Sequence, residues 1–176
     1  MSRKEKNMEE EKFKRQWPPD LPYDYSAMDL EKALIMIEAA KEKAKKMGFS
    51  MTLAVCDAGG NLTALQRMDD APLLSLEIAI NKTRTAIMGK IPTDRWGAFF
   101  KGTDPMLSPL FFHTGWITFG GGFPVILKGK IIGGFGCSGA TWEDCVIARA
   151  GLIAIGADLS GVESFLKDSG VPQEMW

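Results

Sequence analysis

The chain has 176 residues, 45% hydrophobic and 24% charged, with a formal net charge of -1. That balance describes one ordinary globular domain and excludes a fibrous, largely disordered or membrane-embedded chain. With 21 basic against 22 acidic residues there is no positive field to hold a phosphate backbone, so nucleic acid is not an expected partner.

Residues 1–25 read as a tail or an oligomer arm, and 26–176 as a single domain. Trp17-Pro18-Pro19 and Pro22 forbid a continuous helix in the tail. Its Trp17, Leu21 and Tyr23 are apolar groups suited to docking on a neighbouring subunit. Ser26 with Asp29 predicts a helix to about Met47, with Leu30, Ala33, Leu34, Ile37, Ala40 and Ala44 on its apolar face and Gly48 as its stop. The period then changes to two. Met51 to Cys56 and Leu62 to Met68 predict a hairpin turning through Asp57-Ala58-Gly59-Gly60-Asn61. A second helix is expected from Pro72 to Gly89, with Leu73, Leu76, Ile80 and Ile87 as its apolar stripe. A short helix over Thr93–Phe100 follows, then another after Asp104, and a strand at Trp116–Phe119. A second hairpin is expected from Phe123–Lys128 and Lys130–Cys137, turning at Gly129. Thr141 with Asp144 caps a helix to about Ala157, and Ser160 with Glu163 a short last one. Hairpins imply antiparallel pairing, so the expected fold is α+β: a central antiparallel sheet of about five strands layered with helices.

Cys56, Cys137 and Cys145 are sparse and odd in number, and the charged N-terminus carries no secretory apolar segment. A reduced, cytoplasmic protein is expected. The apolar run GWITFGGGFPVIL is broken by glycines and Pro124 and is too short to span a membrane, so none is expected as a partner. No CxxC pair suggests a structural metal.

Three stretches carry candidate chemistry. Asp57 enters a Gly-Gly turn, where an Asp commonly bonds its own backbone. Arg67 and Asp69 bracket the exit of the second strand, where a planar guanidinium can hold a carboxylate. Gly120 to Gly139 is glycine-rich, which admits either close ligand approach or tight packing. It lacks the dinucleotide-binding spacing. Ser138 and Gly139 precede the last long helix, a plausible anion seat. His113 is the only histidine. It could carry protons, ligate a metal or haem, or sit in the core. Lys82 and Arg84 on the second helix are further candidates.

AVCDAGGNLTALQRMDDA, NKTRTAIMGK and GGGFPVILKGKIIGGFGCSGAT, in this order, resemble the GlcG/HbpS family, which also supplies the C-terminal domain of PduO-type corrinoid adenosyltransferases. The resemblance runs from about Leu30 to Ile155. It rests on Asp57, Gly59 and Gly60; Arg67, Met68 and Asp69; Lys82, Thr85 and Ala86; and Gly121, Gly122, Pro124, Ser138 and Gly139. It implies a profilin-like layered domain that forms homo-oligomers, some of them octamers. Some members bind haem or take part in its degradation; others belong to glycolate or propanediol utilisation loci. Residues 1–25 exceed a typical member. The segment bearing Trp96, Phe99, Phe100, Phe111, Phe112, His113 and Trp116 is more aromatic than usual, which suggests a specialised ligand. Haem ligation varies within the family, so His113 is not carried over as an iron ligand by motif.

Three functions follow as expectations. The first is an oligomer binding haem or another flat or carboxylated ligand, with His113 as axial ligand if haem is bound. The second is an enzyme on a small aromatic or carboxylated metabolite, with His113, Asp57 and Lys82 moving protons and Arg67 holding the carboxylate. The third is an accessory subunit of a catabolic pathway. One pocket is expected, gathering Arg67, Asp69, Thr85, Trp116, Gly120, Gly121, Gly122, Ser138 and Gly139 around the catalytic candidates.

Overall fold

The computed structural model describes residues 21–100 and 115–176. Asp29, not Ser26, caps the first helix. Its carboxylate accepts the Lys32 N–H at 2.8 Å, and α1 runs Leu30–Met47 before Gly48 stops it in a left-handed conformation. Ser26 instead bonds Asp24 in the preceding turn. β1 (Thr52–Asp57) and β2 (Leu62–Arg67) form the expected hairpin. α2 (Ser75–Gly89) begins after a turn at 72–74, and α3 is Thr93–Phe100. β3 (Gly122–Leu127) and β4 (Lys130–Ser138) form the second hairpin. α4 (Glu143–Ala154), α5 (Ser160–Asp168) and a 3-10 turn at Gln173–Met175 complete the chain.

The described strands form one four-stranded antiparallel sheet, ordered β2-β1-β4-β3. The expected strand at 116–119 is absent, because its backbone bonds side chains rather than a ladder. Ile117 N–H donates to Thr85 Oγ1 at 3.0 Å, and Thr93 Oγ1 donates to the Phe119 carbonyl at 2.6 Å. α1 and α4 cover one sheet face, closing the main core around Met36, Ile37, Leu53, Val55, Phe135, Ile147 and Leu152. α2 lies on the other face, over β4, β3 and β1.

The helix faces correct two expectations. Leu30 and Leu34 are exposed on α1, where Ala33, Met36, Ile37, Ala40 and Ala44 face the core. On α2 the buried side is Ser75, Ala79, Lys82, Thr83, Ala86 and Ile87, while Leu73 and Leu76 face outward. Glycine in β4 is the cause. A Cβ on Gly136 would stand 2.2 Å from the Ala79 carbonyl, and one on Gly134 2.5 Å from that of Thr83. The helix backbone rests directly on the sheet, and only small side chains fit between.

The outer edge of β3 is capped along its length. Gly122 N–H donates to Thr93 Oγ1 at 3.1 Å, Pro124 has no N–H, and the Ile126 carbonyl accepts the Asp158 N–H at 2.9 Å. Residues 21–24 extend the sheet beside β4. Tyr23 bridges Ile131 in parallel, its hydroxyl donates to the Ile87 carbonyl at 2.9 Å, and Lys90 Nζ donates to the Leu21 carbonyl at 2.9 Å.

Candidate functional site

Lys82 points from α2 into the protein and is fully buried. Its ammonium donates to Asp144 Oδ2 at 2.6 Å and to the Cys137 carbonyl at 2.8 Å. It also lies 4.9 Å from the centre of the Phe119 ring. Asp144 Oδ1 accepts the Ala140 N–H at 2.9 Å, so both carboxylate oxygens are engaged. Burial pushes the Asp144 carboxyl up, against the downward pull of Lys82. The pair ties α2, the end of β4 and the start of α4 together at one point.

The triple glycine makes room for this cluster. A Cβ on Gly121 would stand 2.6 Å from Lys82 Nζ, and one on Gly120 2.8 Å from Cys145 Sγ. A Cβ on Gly122 would stand 2.7 Å from the Lys82 carbonyl. The space these glycines open is filled by the protein's own atoms. Ser138 is buried at the end of β4, and a Cβ on Gly139 would meet the Ser50 carbonyl at 2.5 Å. The donors before α4 are likewise taken, Ala140 N–H by Asp144 and Thr141 N–H by Glu143 at 3.1 Å.

Asp57 is held by its turn, Oδ1 accepting the N–H groups of Gly59 at 2.8 Å and Asn61 at 2.9 Å. Arg67 is exposed and donates to the Ala71 carbonyl at 3.2 Å; Asp69 is exposed nearby. Arg67 pairs across the hairpin with Thr52, the far end of β1 from Asp57. Five strand steps separate those ends, about 17 Å. β2, which carries Arg67, and the 115–122 segment, which leads into β3, belong to opposite edges of the sheet. Arg67, Asp57 and Trp116 are therefore not gathered into one pocket.

An aromatic group does form where 115–119 crosses α2. Trp96 is buried, and its ring meets Trp116 edge-on, 4.8 Å between centres and 68° between planes. Gly89 gives Trp96 its place, since a Cβ there would stand 2.7 Å from the indole. Thr85 fixes the segment through Ile117, and Phe119 beside it is 51% exposed. His113, Phe111 and Phe112 lie outside the described residues.

Two buried carboxyls escaped the sequence reading. In the sequence Asp144 reads only as a helix cap. The signal was Lys82 at the helical spacing of Ala79 and Ala86, which places an ammonium on a buried face that needs a counter-charge. Asp94 has one buried carboxylate oxygen without a hydrogen-bond partner, and burial pushes its carboxyl up to about 6 against the pull of Arg95. All three thiols are buried and unpaired, and burial raises each above its ordinary range. Among the described residues no group of three His, Cys, Asp or Glu side chains could hold a metal ion, and no helix is long and apolar enough to cross a membrane. A cavity of about 200 Å³ lies between the β3 edge and the start of α5, lined by Leu21, Lys90, Pro124, Leu152 and Ser160, with none of the expected site residues.

Residues 28–153 match the family model described as haem degrading protein HbpS-like. An uncharacterized 15.0 kDa protein from the dhaT-dhaS intergenic region of Citrobacter freundii is 36% identical over 129 residues, 72% of this chain and 91% of that one. Protein GlcG of Escherichia coli K12 is 36% identical over 112 residues, 60% of this chain and 77% of its own. Among solved structures, the PduOC:heme complex superposes with a TM-score of 0.69 at 32% identity, covering 75% of this chain and 97% of that one. The Klebsiella pneumoniae protein ORFY gives 0.68 at 34% identity, covering 73% and 90%.

Proposed function

Because this chain belongs to the haem degrading protein HbpS-like family, we propose that it binds haem or a similar flat tetrapyrrole as a homo-oligomer of the GlcG/HbpS type. The likeness to the PduOC:heme complex carries this reading, since nearly all of that haem-bound domain has a counterpart here.

The chemistry of the described residues favours a flat apolar group at the aromatic segment. Phe119 offers a half-exposed ring three residues after Trp116, whose own ring meets Trp96. Iron ligation by thiolate is disfavoured, because burial holds all three thiols protonated and out of reach. That leaves His113, two positions before Gly115 in the sequence, as the side chain of choice for the axial position. Bound haem would supply an iron centre with visible absorption. The protein's part is to stack the macrocycle and exclude water from it. The acid–base alternative has less support. Asp57 is held by its turn and Lys82 by Asp144, so neither of these two expected proton carriers is free to act.

Titration of the full chain with haemin tests the reading. A saturable Soret shift is expected at about one haem per chain. His113→Gln is expected to move that band or weaken binding at least tenfold, with an unchanged circular dichroism spectrum. Absence of saturable binding in the parent chain would overturn the proposal; binding that ignores His113→Gln would overturn the ligand assignment.

A further inference from the structure

The ion pair between α2 and α4 sits where an apolar pair would serve packing as well. Replacing a buried pair by apolar side chains of similar volume often leaves a fold equally stable or more so. The charge of Lys82 therefore calls for a use beyond packing. Asp144 Oδ2 accepts one of its protons at 2.6 Å and the Cys137 carbonyl another at 2.8 Å. Lys82 Nζ also stands over the ring of Phe119, 4.9 Å from its centre, within the range of a cation–π attraction.

Phe119 is a residue that needs holding. Its main chain is fixed, because its carbonyl accepts the Thr93 hydroxyl at 2.6 Å. Its ring is half exposed and is followed by Gly120 and Gly121, which carry no side chain to pack beside it. A Cβ on Gly121 would stand 2.6 Å from Lys82 Nζ and 2.9 Å from the Asp144 Cβ. Glycine there lets the ammonium reach its place under the ring. A half-exposed ring ordinarily exchanges among rotamers, and freezing it on binding costs affinity. A ring held before the ligand arrives avoids that cost.

We propose that Lys82, itself fixed by Asp144, is a positioning residue that holds the Phe119 ring as a preformed platform for the flat ligand. The inference rests on the haem reading and deepens it, since the ligand would stack on a ring whose place is set from inside the protein. Apolar packing presses on a ring without preference for its orientation. An ammonium is drawn to the negative face and so sets the plane of the ring.

Haemin titration of paired variants tests it. Lys82→Met with Asp144→Asn removes both charges together, so no buried ion is left alone, and keeps a side-chain oxygen for the Ala140 N–H. Phe119→Leu and this neutral pair are each expected to weaken haemin binding about tenfold. The three substitutions together are expected to weaken it no further, because Lys82 acts through the ring. Two unrelated structural losses would instead multiply to about a hundredfold. Circular dichroism checks folding. A second series leaves Lys82 and Asp144 intact and replaces Phe119 with 4-fluoro-, 3,5-difluoro- and 3,4,5-trifluorophenylalanine, which drain the negative face with little change in size. Haemin affinity is expected to fall at each step. Without haemin, the fluorine NMR resonance of the ring is expected to broaden along the same series and when the pair is neutralised. Losses that multiply, an affinity that ignores fluorination, or a resonance that stays sharp throughout would each overturn the proposal. If the parent chain binds no haemin, the haem reading fails while the resonance still decides the anchoring. If it binds haemin but the losses multiply, the anchoring fails and the haem reading stands.

Discussion

An ammonium with no contact to water survives in this core because its surroundings are complete. Lys82 has a carboxylate, a carbonyl and a ring face, and Asp144 has an ammonium and a backbone N–H. Such a pair adds little net stability, but it fixes which surfaces meet. It was invisible in the sequence because its members are 62 residues apart, and only Lys82 carried a local signal. Asp94 is the opposite case, a buried carboxyl with an unsatisfied oxygen. Its folded pKa, about 6, lies above its ordinary 3.8. The folded state therefore holds this proton more tightly than the unfolded one. The stability is fully present below the ordinary carboxylate range and is lost as pH rises through the interval from 3.8 to about 6. Asp94→Asn removes the charge that burial opposes. Chemical denaturation at pH 7 should show the variant more stable by about 1–3 kcal/mol, at 1.36 kcal/mol per pKa unit. The gain should vanish near pH 4. An equal gain at both pH values would contradict this account.

Elements whose boundaries depend on local chemistry were legible. Glycine ends α1, the Asp57 turn closes the first hairpin, and Gly129 turns the second at φ 73. What misled was the assumption that a helix turns its largest apolar residues toward a sheet. α2 does otherwise, because Gly134 and Gly136 bring its backbone onto β4 and leave no depth for leucine. Leu73, read as core, became surface. Gly120–122 had two readings, ligand approach or packing, and period alone could not choose between them. Only the neighbours of each missing Cβ could. Gly136→Ala measures how close this contact is. The added methyl would press on the Ala79 carbonyl from 2.2 Å. A loss of about 3 kcal/mol is expected, the upper range for an overpacked core. That corresponds to a fall in Tm of about 6–12 °C for a chain this long. An unchanged Tm would mean that α2 can lift from the sheet at little cost.

At the level of the molecule, the layers are unequal. Among the described residues α1 and α4 cover one face of the sheet, and α2 covers most of the other. The two sheet edges also differ, and the capped side of β3 has a consequence for growth. A strand end is a reactive group, and a sheet with two of them is a bifunctional monomer able to propagate into fibres. Thr93, Pro124 and Asp158 terminate one end. The folded chain is then at most monofunctional, and edge-to-edge addition stops after a single coupling. Pro124→Val restores the missing N–H and reopens propagation. On prolonged incubation near the unfolding midpoint, the variant should develop thioflavin fluorescence several-fold faster than the parent. Identical time courses would show that termination lies elsewhere. A protein whose sheet is chemically end-capped on one side can reach high concentration without seeding a polymer.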